Sequence, residues 1–362
     1  MKSTMLIVVM LLAFNLDVFS QGCVAIRSNG GVCTMDHPME DSTAQGWQLN
    51  TSYRYFRSFR HFRGNEEQKE RLVQNTEVIN WQNTLDLSLI RQLNNRWSVS
   101  VGLPMIVNKR SSLYEHGRTE RHNSNSNGIG DIRVTANRWM VDPSKASKGN
   151  FQLGLGVKAP TGKAGATDVF YNVGENGSTQ VRPVDQSIQL GDGGWGAITE
   201  LAGYYSLNQR LSAYTNLYYL INPREQNGIR TFRETLSARL ANEAIMSVPD
   251  QYMARLGVSY AFENKLQPLS LSAGGRIEGI PVYDLIGGSD GFRRPGYVVS
   301  AEPALSYKFK RLNFFAAVPV ALYRDRTQSV TDKQNSLTTG THVQGDAAFA
   351  DYSVNLGFVV KF

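Results

Sequence analysis

The chain ends on Asp351-Tyr352-Ser353-Val354-Asn355-Leu356-Gly357-Phe358-Val359-Val360-Lys361-Phe362. Tyr352, Val354, Leu356, Phe358, Val360 and Phe362 alternate with Ser353, Asn355, Gly357, Val359 and Lys361. Successive side chains of a strand point to opposite sides, so a period of two marks a strand with one apolar face. The strand runs to the last residue, which is aromatic. The same period recurs upstream at 46–60, 80–91, 97–107, 129–141, 150–160, 195–207, 211–222, 251–262, 269–280, 297–308 and 312–323, which with 351–362 makes twelve strands. Each has about the length a tilted strand needs to cross a bilayer, ~9–11 residues.

A soluble sandwich also alternates, so the connectors decide. Segments 61–79, 108–128, 161–194, 223–250, 281–296 and 324–350 are long, and 92–96, 142–149, 208–210, 263–268 and 309–311 are short. Long and short follow each other strictly. Barrels of the outer membrane pair short periplasmic turns with long external loops, whereas soluble folds need no such rhythm. An even strand count leaves both termini on the short-turn side. The expected fold is therefore all-β, a transmembrane antiparallel β-barrel of about twelve strands over 45–362. Closure removes sheet edges that lipid could not hydrogen-bond. Trp47, Trp81, Trp97, Trp139, Trp195, Tyr205, Tyr307, Phe309 and Phe362 stand near strand ends, as interfacial girdles require.

The chain start agrees with export. Lys2, the apolar run Met5–Phe14 and Val18-Phe19-Ser20 read as a signal peptide over 1–20, cut before Gln21. Residues 21–44 form a short periplasmic segment in which Cys23 and Cys33 can pair. That bridge would contribute roughly 3 kcal/mol by the loop-entropy model. Lipidation of Cys23 is the rival reading, disfavoured by Ser20 where a lipobox usually carries Leu. At the other end, Asn355, Gly357, Val360 and Phe362 resemble the signal that the outer-membrane assembly machinery reads on the last strand of its clients. The expected location is the outer membrane of a Gram-negative bacterium.

The 362 residues are 41% hydrophobic, 10% aromatic and 19% charged, which excludes a disordered chain. No later apolar run reaches the length of a spanning helix. The net charge of +7 does not imply a nucleic-acid partner, because the long connectors are close to neutral and the excess lies in strands and short turns. On the polar strand faces stand Arg54, Asp86, Asp131, Arg133, Lys158, Glu200, Arg255, Arg276, Glu278, Glu302 and Lys308. A mid-depth Arg or Lys facing lipid costs ~2–4 kcal/mol, so these eleven side chains are expected to line the lumen. There they either pair into a plug or leave a polar track with a mild anion preference. A one-residue register slip would invert the set.

Other chemistry finds little support. His122-Asn123-Ser124-Asn125-Ser126-Asn127-Gly128 is similar to the His-x-Ser-Asn-Gly of outer-membrane phospholipases, and His122 and Ser124 would share a strand face. The Ser/Asn-rich composition and the departure from the contiguous motif favour a solvated loop, so no enzyme is expected. The five histidines (His37, His61, His116, His122, His342) show no metal-ligand spacing. Gly191-Asp192-Gly193-Gly194 lacks the context of a phosphate loop and reads as a tight turn. Arg233–Met246 has helical spacing. Arg54, Arg57, Arg60 and Arg63 at spacing three with Phe56, Phe59 and Phe62 suggest that strand one ends before Arg60 in a turn or bulge.

Gly128-Ile129-Gly130-Asp131-Ile132-Arg133, Leu153-Gly154-Leu155-Gly156-Val157-Lys158-Ala159-Pro160-Thr161-Gly162 and Gly191-Asp192-Gly193-Gly194-Trp195-Gly196 occur in this order. Together they resemble the outer-membrane transporter family associated with the MetA pathway of phenol degradation, distantly related to FadL-type channels. The resemblance implies passive uptake of small molecules, aromatic or otherwise apolar ones among them, without cofactor. Segment 21–44 is too short for a sizeable hatch, so gating would fall to 161–194 and 223–250. Asp131 and Lys158 are expected to pair near the external rim. The expected partners are the bilayer with its lipopolysaccharide, the assembly machinery and a small solute. A closed barrel serving as an anchor is the alternative function, and a lipid hydrolase a minor one.

Overall fold

A computed structural model describes residues 46–233 and 236–362. Twelve long antiparallel strands form one closed barrel: β1 (Gly46–Arg63), β2 (Ile79–Gln92), β3 (Trp97–Ser112), β4 (His122–Ile129 and Ile132–Trp139), β5 (Gly149–Ala159), β6 (Gly196–Ser206), β7 (Leu211–Ile221), β8 (Gln251–Ala261), β9 (Leu269–Ile280), β10 (Gly296–Phe309), β11 (Leu312–Ala317 and Val320–Asp325) and β12 (Ala347–Lys361). Neighbours in sequence pair throughout, and β1 closes the cylinder against β12 from Gln48↔Lys361 to Phe62↔Ala347. The ends meet: the Trp47 N–H donates to the Phe362 carbonyl at 2.9 Å, and the Phe362 N–H to the Trp47 carbonyl at 3.0 Å. No described helix is long and apolar enough to cross a membrane.

The alternation sorts side chains as the barrel requires. Val101, Met105, Leu155, Leu217, Leu256, Leu271, Phe314 and Leu356 stand exposed on the outside, while Ser98, Asn50, Thr135, Asn216, Ser259, Ser300 and Asn355 are buried within. Oily side chains outside and polar ones inside invert the arrangement of a water-soluble barrel; the fold suits a bilayer. Trp47, Trp97, Trp195, Tyr205, Tyr307, Phe309 and Phe362 lie on the exposed surface near strand ends. Trp139 corrects the expected girdle: it is buried, edge-on to Tyr204 at 6.1 Å, and faces the interior.

Three local readings also change. Strand β1 does not stop before Arg60 but continues to Arg63, because register shifts against β12 at Phe56/Ser58 and Ser58/Arg60 absorb the broken period. Segment 122–129 is strand rather than loop, paired from Met105↔Ile129 to Ser112↔His122. Its outward residues are Asn123, Asn125 and Asn127, all exposed, so this part of the wall stands above the apolar band and the composition rule for loops misled. The helical reading of 233–246 yields a short 3-10 turn, Ala238–Glu243, then strand Ile245–Ser247 paired with Gln226–Arg230. Cross-strand pairing there outcompetes a helix without a side-chain cap. The signal peptide, Cys23 and Cys33 lie outside the described residues.

Candidate functional site in the barrel interior

Seven of the eleven side chains expected inside form ion pairs at mid-barrel. Glu278 accepts from Arg54 at 3.1 Å and from Arg276 at 2.8 Å, and Arg276 also reaches Glu302 at 3.3 Å. Arg255 pairs with the other side of Glu302. This chain joins β1 to β8, β9 and β10 across the lumen rather than along the wall. Arg133 on β4 pairs with Asp86 on β2. Glu200 on β6 lines the same cavity as Arg133 and Asp86. The alternation is what puts all of them inside: Arg54, Arg276, Glu278 and Glu302 share inward register positions and are buried. Lys308 shares that parity with Glu302 but sits at the short-turn end of β10, exposed and outside the network.

Asp131 and Lys158 meet at 3.6 Å, and Asp192 joins them by an ion pair with Lys158. Asp131 also accepts the N–H of Gly162 at 2.9 Å and of Asp192 at 3.2 Å. All three glycine-rich motifs thus converge on one junction, which ties both ends of loop 160–195 to the wall. Glycine is needed at 191, because a Cβ there would lie 2.5 Å from the Gly162 carbonyl oxygen and 2.6 Å from Asp131 Oδ1. Gly193 at φ +81° supplies the expected turn.

From this junction the loop folds into the long-loop mouth. The Gln82 amide donates to the Ser187 carbonyl at 2.8 Å, and Asn108 to the Ile188 carbonyl at 3.2 Å. Asp185, fully buried, is gripped by Arg294 at 2.7 Å and Arg110 at 3.4 Å. Burial opposes its charge, but the two guanidiniums outweigh that and hold its carboxyl far below the usual carboxylate range. Val184 and Ile188 are buried in the same stretch with Ala166. The segment is a plug. Sequence reasoning named the loop and quoted Asp192 within a turn motif but missed its pairing, and missed Asp185, Arg110 and Arg294 altogether, since nothing local distinguishes a loop aspartate that turns inward from one in solvent.

Below the plug lies a cavity of about 140 Å³. Asp86, Arg133, Glu200 and Arg255 line it toward mid-barrel, Gln48, Gln92 and Ser98 toward the short-turn end, and Trp139, Tyr218 and Phe315 supply rings. A hydrolytic pair does not form: His122 stacks on Tyr171 at 4.2 Å, and the buried Ser124 hydroxyl has no hydrogen-bond partner among the described residues. Among the described residues no group of three or more His, Cys, Asp or Glu is placed to hold a metal. His116 is buried against Phe170 and accepts the Tyr171 N–H at 3.2 Å. Burial, and to a lesser degree His122, lowers its pKa to about 4.

The last-strand residues have structural roles of their own. Asn355 donates to Ser353 at 3.2 Å and to the Ala317 carbonyl at 3.4 Å. A Cβ on Gly357 would stand 2.1 Å from the Thr51 carbonyl oxygen and 2.4 Å from the Phe315 ring. Val360 lies between Leu49 and Leu312, and Phe362 ends the wall.

No protein-family model matches the chain, and no curated protein matches it in sequence. Solved structures do. An outer-membrane channel from Pseudomonas putida F1 superposes with TM-score 0.56 at 14% identity, covering 89% of this chain and 98% of that one. The translocator domain of the autotransporter NalP from Neisseria meningitidis gives TM-score 0.43 at 13% identity, over 89% and 90%. The toluene transporter TodX of Pseudomonas putida gives 0.42 at 8% identity, over 94% and 96%. At such identities the first likeness establishes the fold, that of an outer-membrane barrel.

Proposed function

We propose that this protein is a passive channel of the Gram-negative outer membrane for small solutes, plugged on its external side by loop 160–195. The carrying observation is a cavity of charged, amide and ring side chains inside an outwardly apolar cylinder, whose long-loop mouth holds a loop fixed through side-chain contacts rather than continuous sheet. A wall shaped only for anchoring has no need of such an interior. The signal-like start and the last-strand motif support this location, with the short turns in the periplasm. Arg54, Arg255, Arg276, Glu278, Glu302, Asp86, Arg133 and Glu200 form the constriction, while Asp131, Lys158 and Asp192 hinge the plug. Lys308 belongs to the periplasmic mouth. Asn355, Gly357, Val360 and Phe362 serve assembly, and Cys23 and Cys33 tie the segment before the barrel.

The motifs that resemble those of the phenol-degradation transporter family support transport, and the cavity lining mixes apolar side chains such as Ile90, Met253 and Phe315 with its charged and amide groups. The anchor reading draws on one observation, the firm double grip of Asp185. Planar-bilayer recording separates the two. The intact protein should show small discrete openings, and replacement of 167–187 by a short Gly-Ser linker should enlarge them several-fold. Silence from both proteins overturns the channel and leaves the anchor.

A further inference from the structure

Eight charged side chains occupy mid-barrel, four arginines (Arg54, Arg133, Arg255, Arg276) and four carboxylates (Asp86, Glu200, Glu278, Glu302), and their charges cancel. Seven of them are ion-paired. Glu200 lines the cavity together with Arg133 but makes no hydrogen bond or ion pair with any described residue. Around it stand uncharged donors and acceptors, among them Asn137, Gln152 and Asn216.

This chemistry selects a solute class. A balanced charge set offers an ion no net attraction, and an ion leaving water for a confined site loses hydration. A hydrocarbon would strip water from the amides and hydroxyls without replacing its hydrogen bonds. A neutral molecule rich in hydroxyls replaces them one for one. Two hydroxyls on adjacent carbons can donate to the two oxygens of one carboxylate, and ionised acceptors make the stronger hydrogen bonds. The cavity of about 140 Å³ matches the ~150 Å³ that encloses one benzene ring, so a monosaccharide, with twice as many heavy atoms, would fill it and extend beyond it into the lumen. Trp139 and Tyr218 add ring carbon to the lining, against which the C–H side of such a molecule can pack.

We propose that the cavity binds a neutral, polyhydroxylated solute of one ring, a monosaccharide or cyclic polyol, with the Glu200 carboxylate as the acceptor of its vicinal hydroxyls. The inference deepens the channel reading and, for its transport consequence, rests on it. The test uses the full mature protein in two settings, with glucose and inositol as probes and phenol as comparator. In detergent, titration calorimetry should show saturable binding of glucose or inositol, weakened at least tenfold by Glu200→Ala and less by Glu200→Gln, whose amide oxygen still accepts. Heat-modifiable gel mobility checks that both variants are folded. In planar bilayers the same probes should reduce the single-channel current, and phenol should not. Openings that phenol blocks and the probes leave unchanged, with no probe binding in detergent, overturn this assignment while the channel stands. Probe binding without any openings keeps the site and overturns the channel. Probe binding unaffected by Glu200→Ala removes Glu200 from the proposal.

Discussion

Glu278 is fully buried and holds two arginines, so its loss cannot be neutral. Removing one partner of a buried network strands the other charges at a cost of about 3–5 kcal/mol. Glu278→Ala should therefore lower resistance to urea by that amount, measured by the fluorescence or gel-shift midpoint. Exposed Lys308→Ala, lacking such a pair, should shift it by under ~0.5 kcal/mol. His116 makes a second prediction. It is buried neutral with a pKa lowered to about 4, whereas an unfolded histidine titrates near 6.5. Between these values the loosened chain binds more protons than the folded one, so the contact weakens as pH falls from about 6.5 and levels off below about 4. Proton binding would also remove the acceptor that the Tyr171 N–H uses. Proteolysis of loop 160–195 should accelerate over that window in the wild type and lose this dependence in His116→Phe. Asp185 stays ionised throughout the same window, so its ion pairs do not explain such a change.

At the scale of elements, the β4–β5 junction shows what a pairwise reading misses. Reversing Asp131 and Lys158 together would restore function if they formed a simple pair. The structure predicts otherwise, because Asp131 accepts two backbone N–H groups that a lysine cannot satisfy, and Lys158 also holds Asp192. The double reversal should fold no better than either single one, as judged by the heat-modifiable fraction in outer membranes. Gly357→Val should likewise cut the assembled fraction severely, since the Thr51 backbone cannot move away without breaking the β1–β12 seam. The strands were readable because period two is a local property of the chain. Extensions such as β4 above residue 129 were not, because outside the lipid both faces can be polar and the alternation disappears. The bulges in β1 left only a broken rhythm, which fits a turn and a bulge equally.

For the whole molecule, the sign of the sorting is the diagnostic. A cylinder with Leu155, Leu256 and Leu322 each 68% exposed should not remain monomeric in water. The purified protein is expected to need detergent, to show a β-type circular dichroism spectrum and to run faster unboiled than boiled on a gel. A soluble monomer without detergent would refute the membrane reading. Closure and strand count were legible from connector lengths, which record the two ends of the barrel. The plug was legible only as a long loop, since its inward course depends on contacts such as Gln82 with Ser187 that join distant parts of the chain.

The paired hydrogen bonds between Trp47 and Phe362 carry a consequence for how the protein is built. Because head and tail of the cylinder are adjacent on the wall, a short linker could fuse them, and the chain could be reopened at Gly340, an exposed αL residue with free space around it. Such a permutant would keep every contact of the finished wall while burying the former tail inside the polypeptide. Its yield in cells, set against its refolding in micelles, would weigh recognition of a free last residue separately from the stability of the cylinder that residue completes.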